Sequence, residues 1–103
     1  MTIEFRLNGF NASHAKSFYK VLSWYGLIYE KSTENNTRIL KFDKDFERSK
    51  TFIEFCQEVS QKYIERKKQN VWTYDSFNVD IAINNISQPY LAVFTLHVKK
   101  RNY

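Results

Sequence analysis

Two glycines, one proline and one cysteine are all that this chain of 103 residues holds of three residue types on which many small-protein chemistries depend. A single cysteine excludes an internal disulfide, so the fold must hold by packing alone, as a reducing compartment requires, and the expected location is the cytoplasm. With so few glycines there is no loop whose backbone N–H groups could cradle a phosphate, and no Walker, G-x-S-x-G or H-E-x-x-H pattern occurs. No cofactor and no metal is expected. Long apolar runs are missing too: no window approaches the ~18 apolar residues of a membrane span, and the opening MTIEFRLNGF has no signal-like core, so no membrane partner is expected. Sequons at Asn11, Asn35 and Asn85 would matter only on a secreted route.

What the chain does hold is aromatic and basic. Aromatic residues make up 17%, with nine Phe, seven Tyr and two Trp, which is enough ring area to fill a small core and still leave rings for contacts. Sixteen Lys and Arg against eleven Asp and Glu give a net charge of +5, which favours an acidic partner without naming one. The length suits a single domain, residues 1–103, with one core.

The longest stretch of unbroken helical pattern runs from Asp43 to Asn70. Phe46, Phe52, Ile53, Phe55, Cys56, Val59, Tyr63 and Ile64 occupy one half of its surface, and Glu54, Gln57, Glu58, Gln61, Glu65 and Lys68 the other. Asp43 or Asp45 would cap it. Before it, Thr2 to Asn8 alternates as a half-buried strand, and Asn8-Gly9 turns the chain. Ala15, Phe18, Tyr19, Leu22 and Tyr25 then trace a helix capped by Asn11 or Ser13 and ended by Gly26. Leu27 to Ser32 and Arg38 to Phe42 read as a hairpin with a loop of about four or five residues around TENN. After the long helix come a short β-prone run, Val71 to Tyr74, a turn at DSFN, a strand at Val79 to Ile83, and the strongest strand, Tyr90 to Lys99.

The order β-α-β-β-α-β-β-β implies an α+β two-layer sandwich, two helices on one face of a mostly antiparallel sheet of five or six strands. A ferredoxin-like arrangement of the first six elements with a C-terminal hairpin added would satisfy it. The chain departs from two families that share this layout. RILKF, at residues 38–42, lacks the glycines and ring spacing of RNA-recognition domains, and NGFNASH lacks the glycine-rich turn and arginine of acylphosphatases.

Candidate chemistry is sparse. Cys56 falls inside the apolar stripe, where a thiol is inert. His14 and His97 have no Cys or carboxylate at metal-ligand spacing and are expected at the surface. Glu54 and Glu58 are one helical turn apart, but Lys62 follows Glu58 at i+4 as on any solvated helix face.

Two features point outward. Lys16, Lys20 and Trp24 follow one another at i, i+4 and i+8 on the side of the first helix turned from its core, and Leu91 and Val93 are apolar on the outer face of the last strand; these are the protein-binding candidates. Lys62, Arg66, Lys67 and Lys68 exceed what a helix end needs, and with Lys99, Lys100 and Arg101, plus Trp72 and Tyr74 as stacking rings, they are the nucleic-acid-binding candidates. The leading reading is a small interaction protein of inhibitor, immunity or regulatory type, without catalysis, that docks a basic and aromatic surface on a protein partner or on its own copy. An RNA- or DNA-binding module is the alternative. An enzyme would require a site gathered by the fold, since no catalytic residues stand out.

Overall fold

Ile3, Phe5 and Leu7 alternate with polar neighbours in β1 (Thr2–Asn8), and all three are fully buried. In chain order follow α1 (Ala12–Ser23), β2 (Tyr29–Glu34), β3 (Thr37–Asp43), α2 (Ser49–Lys68), β4 (Tyr74–Asn84) and β5 (Tyr90–Lys100). The computed structural model describes residues 1–46, 49–68 and 73–102. These elements form an α+β sandwich in which a five-stranded sheet of order β2-β3-β1-β5-β4 carries both helices on one face. β1 lies at its centre, antiparallel to β3 and parallel to β5, and the other pairings are antiparallel.

A ferredoxin-like arrangement would set the strand after α2 beside β1. Here β5 takes that place and β4 becomes the edge, so the C-terminal hairpin is inserted into the sheet rather than added outside it. Composition gives the reason. β5 is apolar on both faces, with Ala92, Phe94 and Leu96 buried under the helices and Leu91 and Val93 half-buried behind, which suits an interior strand. β4 carries Asp75, Ser76, Asn78 and Asp80, all exposed, as an edge tolerates. The DSFN segment, expected as a turn, is part of β4, and residues 71 and 72 of the expected short run lie outside the described residues.

The two-residue turn Asn35-Asn36 closes the β2–β3 hairpin, shorter than the four or five residues expected. Both residues have positive φ, 49° and 65°, the left-handed conformation that a tight hairpin turn demands and asparagine tolerates. α1 is capped as expected: Asn11 Oδ1 accepts the His14 N–H at 2.8 Å, and Gly26 follows the helix with φ +69°. Among the described residues α2 spans Ser49–Lys68, and residues 44–46, which the apolar pattern includes, are not helical. Asp43 is the last residue of β3 and Asp45 accepts from the Met1 nitrogen at 3.1 Å, so neither is available as a cap. Phe46 precedes the helix yet packs its ring against Phe52 and Phe55, which is why it shared their periodicity.

The core is a cluster of rings. Phe5 meets Phe94 at 4.7 Å, Phe42 at 5.0 Å, Phe55 at 6.1 Å and Phe18 at 6.4 Å between centroids, which draws both helices onto the central strand. Gly9 closes β1 with φ +76° where a Cβ would lie 2.7 Å from the Leu96 carbonyl oxygen, so glycine is required there on two counts.

Candidate functional site

The i, i+4, i+8 spacing of Lys16, Lys20 and Trp24 puts them in one exposed row along α1, with Trp24 at its C-terminal cap and 52% exposed. α1 and α2 run antiparallel: Phe18 packs on Tyr63 near one end, and Tyr25 on Phe55 near the other. Lys62, Glu65 and Arg66 of α2 reach the indole with their side chains. The Arg66 guanidinium carbon is 5.6 Å from the centre of the Trp24 ring, and Trp24, Lys62, Glu65 and Arg66 line a shallow depression of about 200 Å³. Glu65 is engaged along its own helix, where its Oε1 accepts from Gln61 Nε2 at 3.3 Å. An aromatic residue assigned to protein binding and two cations assigned to nucleic acid thus form one surface. Cation and ring attract one another by about 0.5–1 kcal/mol at a site this exposed, which favours the stacked arrangement of the two side chains.

A second basic group forms where α2 and β5 both end. Contrary to expectation, His14 is not a surface residue: it is 7% exposed, its Nε2 lies 3.2 Å from the Tyr74 hydroxyl, and Phe77 packs on its ring. Its Nδ1 is buried without a hydrogen-bond partner among the described residues. Burial is the first cause that lowers its pKa below the usual imidazole value, and the charges of Lys67 and Lys100 lower it further. The ends of the two predicted basic clusters thus converge on one imidazole. Burial, and then the adjacent Arg66, lowers the pKa of Lys67 in turn.

The remaining basic candidates do not join in. Successive side chains of a strand face opposite ways, so Lys99, beside Ser76, is on the helix-free face while Lys100 is on the helix side. Arg101 Nε is held by Asp75 Oδ1 at 3.2 Å. Tyr74 is half-buried with its ring against Phe77, so it is not a free stacking platform. Trp72 and the side chain of Lys68 lie outside the described residues.

Leu91 and Val93 are on the opposite side of the molecule from Trp24. They lie in register with Glu4 and Arg6 of β1, where Arg6 Nε donates to Glu4 Oε2 at 2.7 Å. Glu4 is only 9% exposed, and Ile39, facing Arg6 from β3, only 5%. This mixed patch covers its own apolar side chains to a large extent, and it is not continuous with the helical surface. The alternation of β1 places both charges of the ion pair on that side.

Cys56 is fully buried, and burial pushes its thiol up to about 12, which removes it as a nucleophile. His97 is exposed and pairs with Asp80 at 2.9 Å, far along the chain from any second ligand; among the described residues no three His, Cys, Asp or Glu are gathered to hold a metal. No described helix is long and apolar enough to cross a membrane. Comparison with protein-family models, curated proteins and solved structures gives no match.

Proposed function

We propose that the protein is a non-catalytic binding module, of inhibitor or regulatory type, that docks the helical surface around Trp24 on an acidic protein partner. The observation that carries this reading is the half-exposed Trp24 ring with the Arg66 guanidinium over it and Lys62 alongside. Trp and Arg head the residue types that dominate interface energies, and here the two stand together on one surface. Lys20 and Lys16 continue the row along α1 and extend the positive field for an acidic surface.

A nucleic acid fits less well. A phosphate-tracking groove needs its cations in one line, whereas Lys99 and Lys100 face opposite ways, Arg101 is paired with Asp75, and Glu65 lines the depression beside Trp24.

Panning a peptide-display library on the wild-type protein, with counter-selection on Trp24→Ala/Arg66→Ala, should enrich Asp- and Glu-rich sequences that bind only the former. Enrichment that ignores the double variant would overturn the reading. So would retention of a mixed nucleic-acid pool at about 50 mM salt that Lys67→Glu and Lys100→Glu abolish while Trp24→Ala does not.

A further inference from the structure

The sheet has two edges, and they differ in how they are defended. β2 is short, five of its six residues are exposed, and Glu30, Lys31 and Glu34 place charge along it, the ordinary means of keeping other strands away. β4 is eleven residues long and has no lysine, arginine or proline. Its two aspartates do not guard the edge, because both are turned to the neighbouring strand: Asp75 pairs with Arg101 and Asp80 with His97. A bulge breaks the register beside Tyr74, but from Ser76 to Asn84 the strand is regular, with one row of backbone N–H and C=O groups outside the sheet. On its helix side, Phe77, Ile81 and Ile83 are only half-buried.

We infer that β4 pairs antiparallel with β4 of a second copy of this chain, about a two-fold axis through Val79, joining the two sheets into one. The strand is complementary to itself in that register. Val79 meets its own symmetry mate, Phe77 meets Ile81 on the helix side, and on the other face Asn78 meets Asp80 and Ser76 meets Ala82; an aromatic with a β-branched residue is a favoured cross-strand pair and no two like charges are opposed. A register centred on Asp80 would set that carboxylate against itself. Charge also selects the direction. Lys67, Lys99 and Lys100 all lie toward the Tyr74 end of β4, so a parallel pairing would bring the basic ends of two positively charged copies together. Antiparallel pairing puts them about 30 Å apart, beyond the reach of screened repulsion. A second copy therefore fits this edge better than an arbitrary extended peptide, and the Trp24 surface on the helical layer plays no part in the contact.

Light scattering on the eluting peak should give a mass twice that of the 12.4 kDa chain at high protein concentration, falling toward the single-chain mass on dilution. Ser76→Lys/Ala82→Lys, two exposed positions, should halve the mass without changing the circular dichroism spectrum. Ser76→Lys/Ala82→Glu sets opposite charges across the same contact and should restore the dimer. A wild-type chain that stays single at every concentration overturns the inference. A dimer untouched by Ser76→Lys/Ala82→Lys, or one dissolved by Trp24→Ala, overturns it as well.

Discussion

The Tyr63 hydroxyl donates to the main-chain carbonyl oxygen of His14 at 3.2 Å, in a setting where the whole Tyr63 side chain is buried. One bond thus ties the last turns of α2 to the first turn of α1, the region where Lys67 and Lys100 approach. Burial raises the pKa of the phenol, with Tyr74 nearby adding to the shift, so it remains a donor throughout the physiological range. Tyr63→Phe removes the donor and keeps the ring packing. The expected loss is about 1–2 kcal/mol in urea denaturation, and an unchanged midpoint would mean that the bond adds nothing to stability.

His14 should make stability depend on acid. Its folded-state pKa is lowered, so the folded protein binds the imidazole proton less readily than the unfolded chain does. Its contribution is complete above the unfolded value, about 6.5, and is lost as pH falls from there toward the lower folded value. Urea midpoints at about pH 7.5 and pH 5.5 should therefore differ more for the wild type than for His14→Gln. Equal losses would place the acid sensitivity elsewhere.

Gly9 and Gly26 both have positive φ, but among the described residues only Gly9 is crowded, since none of them lies within 4 Å of a Cβ at Gly26. Gly26→Ala should cost about 1–2 kcal/mol, the penalty of the left-handed backbone alone. Gly9→Ala adds a collision with the Leu96 carbonyl and should cost about 2–4 kcal/mol. A comparison of the two melting curves decides the matter, and equal losses would show that the β1–β5 junction yields easily.

Trp24 and Arg66 should be separable from the fold. Neither is buried, so Trp24→Ala and Arg66→Ala should each leave the circular dichroism spectrum unchanged. In a double-mutant cycle the coupling should be about 0.5–1 kcal/mol. Unfolding of Trp24→Ala would return the indole to the core and remove the basis for the docking surface.

Much of the architecture was legible because periodicity is local. The stripe Phe52, Phe55, Cys56, Val59 and Tyr63 is buried as read, and the alternation of β1 and β5 assigns their inner faces correctly. The misreadings have local causes too. Phe46 keeps the helical spacing from outside the helix, and TENN reads as a longer loop although the paired asparagines Asn35-Asn36 suit a two-residue turn. His14 falls in step with Phe18, Val21 and Tyr25, and that spacing was the available signal for its burial; its polarity hid it.

Which residues face inward is written into each segment, since a period of 3.6 or 2 is a property of the segment alone. The neighbours of each segment are not. Trp24 and Arg66 are 42 positions apart, and nothing in either stretch states that antiparallel helices will lay one across the other. The same holds for Lys67 and Lys100 around His14, and for β5 entering the sheet ahead of β4. By itself the sequence determined both helices and most of the strands, the aromatic core and the surplus of positive charge. Only the tertiary structure decided which part of that charge gathers beside an exposed ring and which strand is left as an open edge, because both depend on how several segments pack at once.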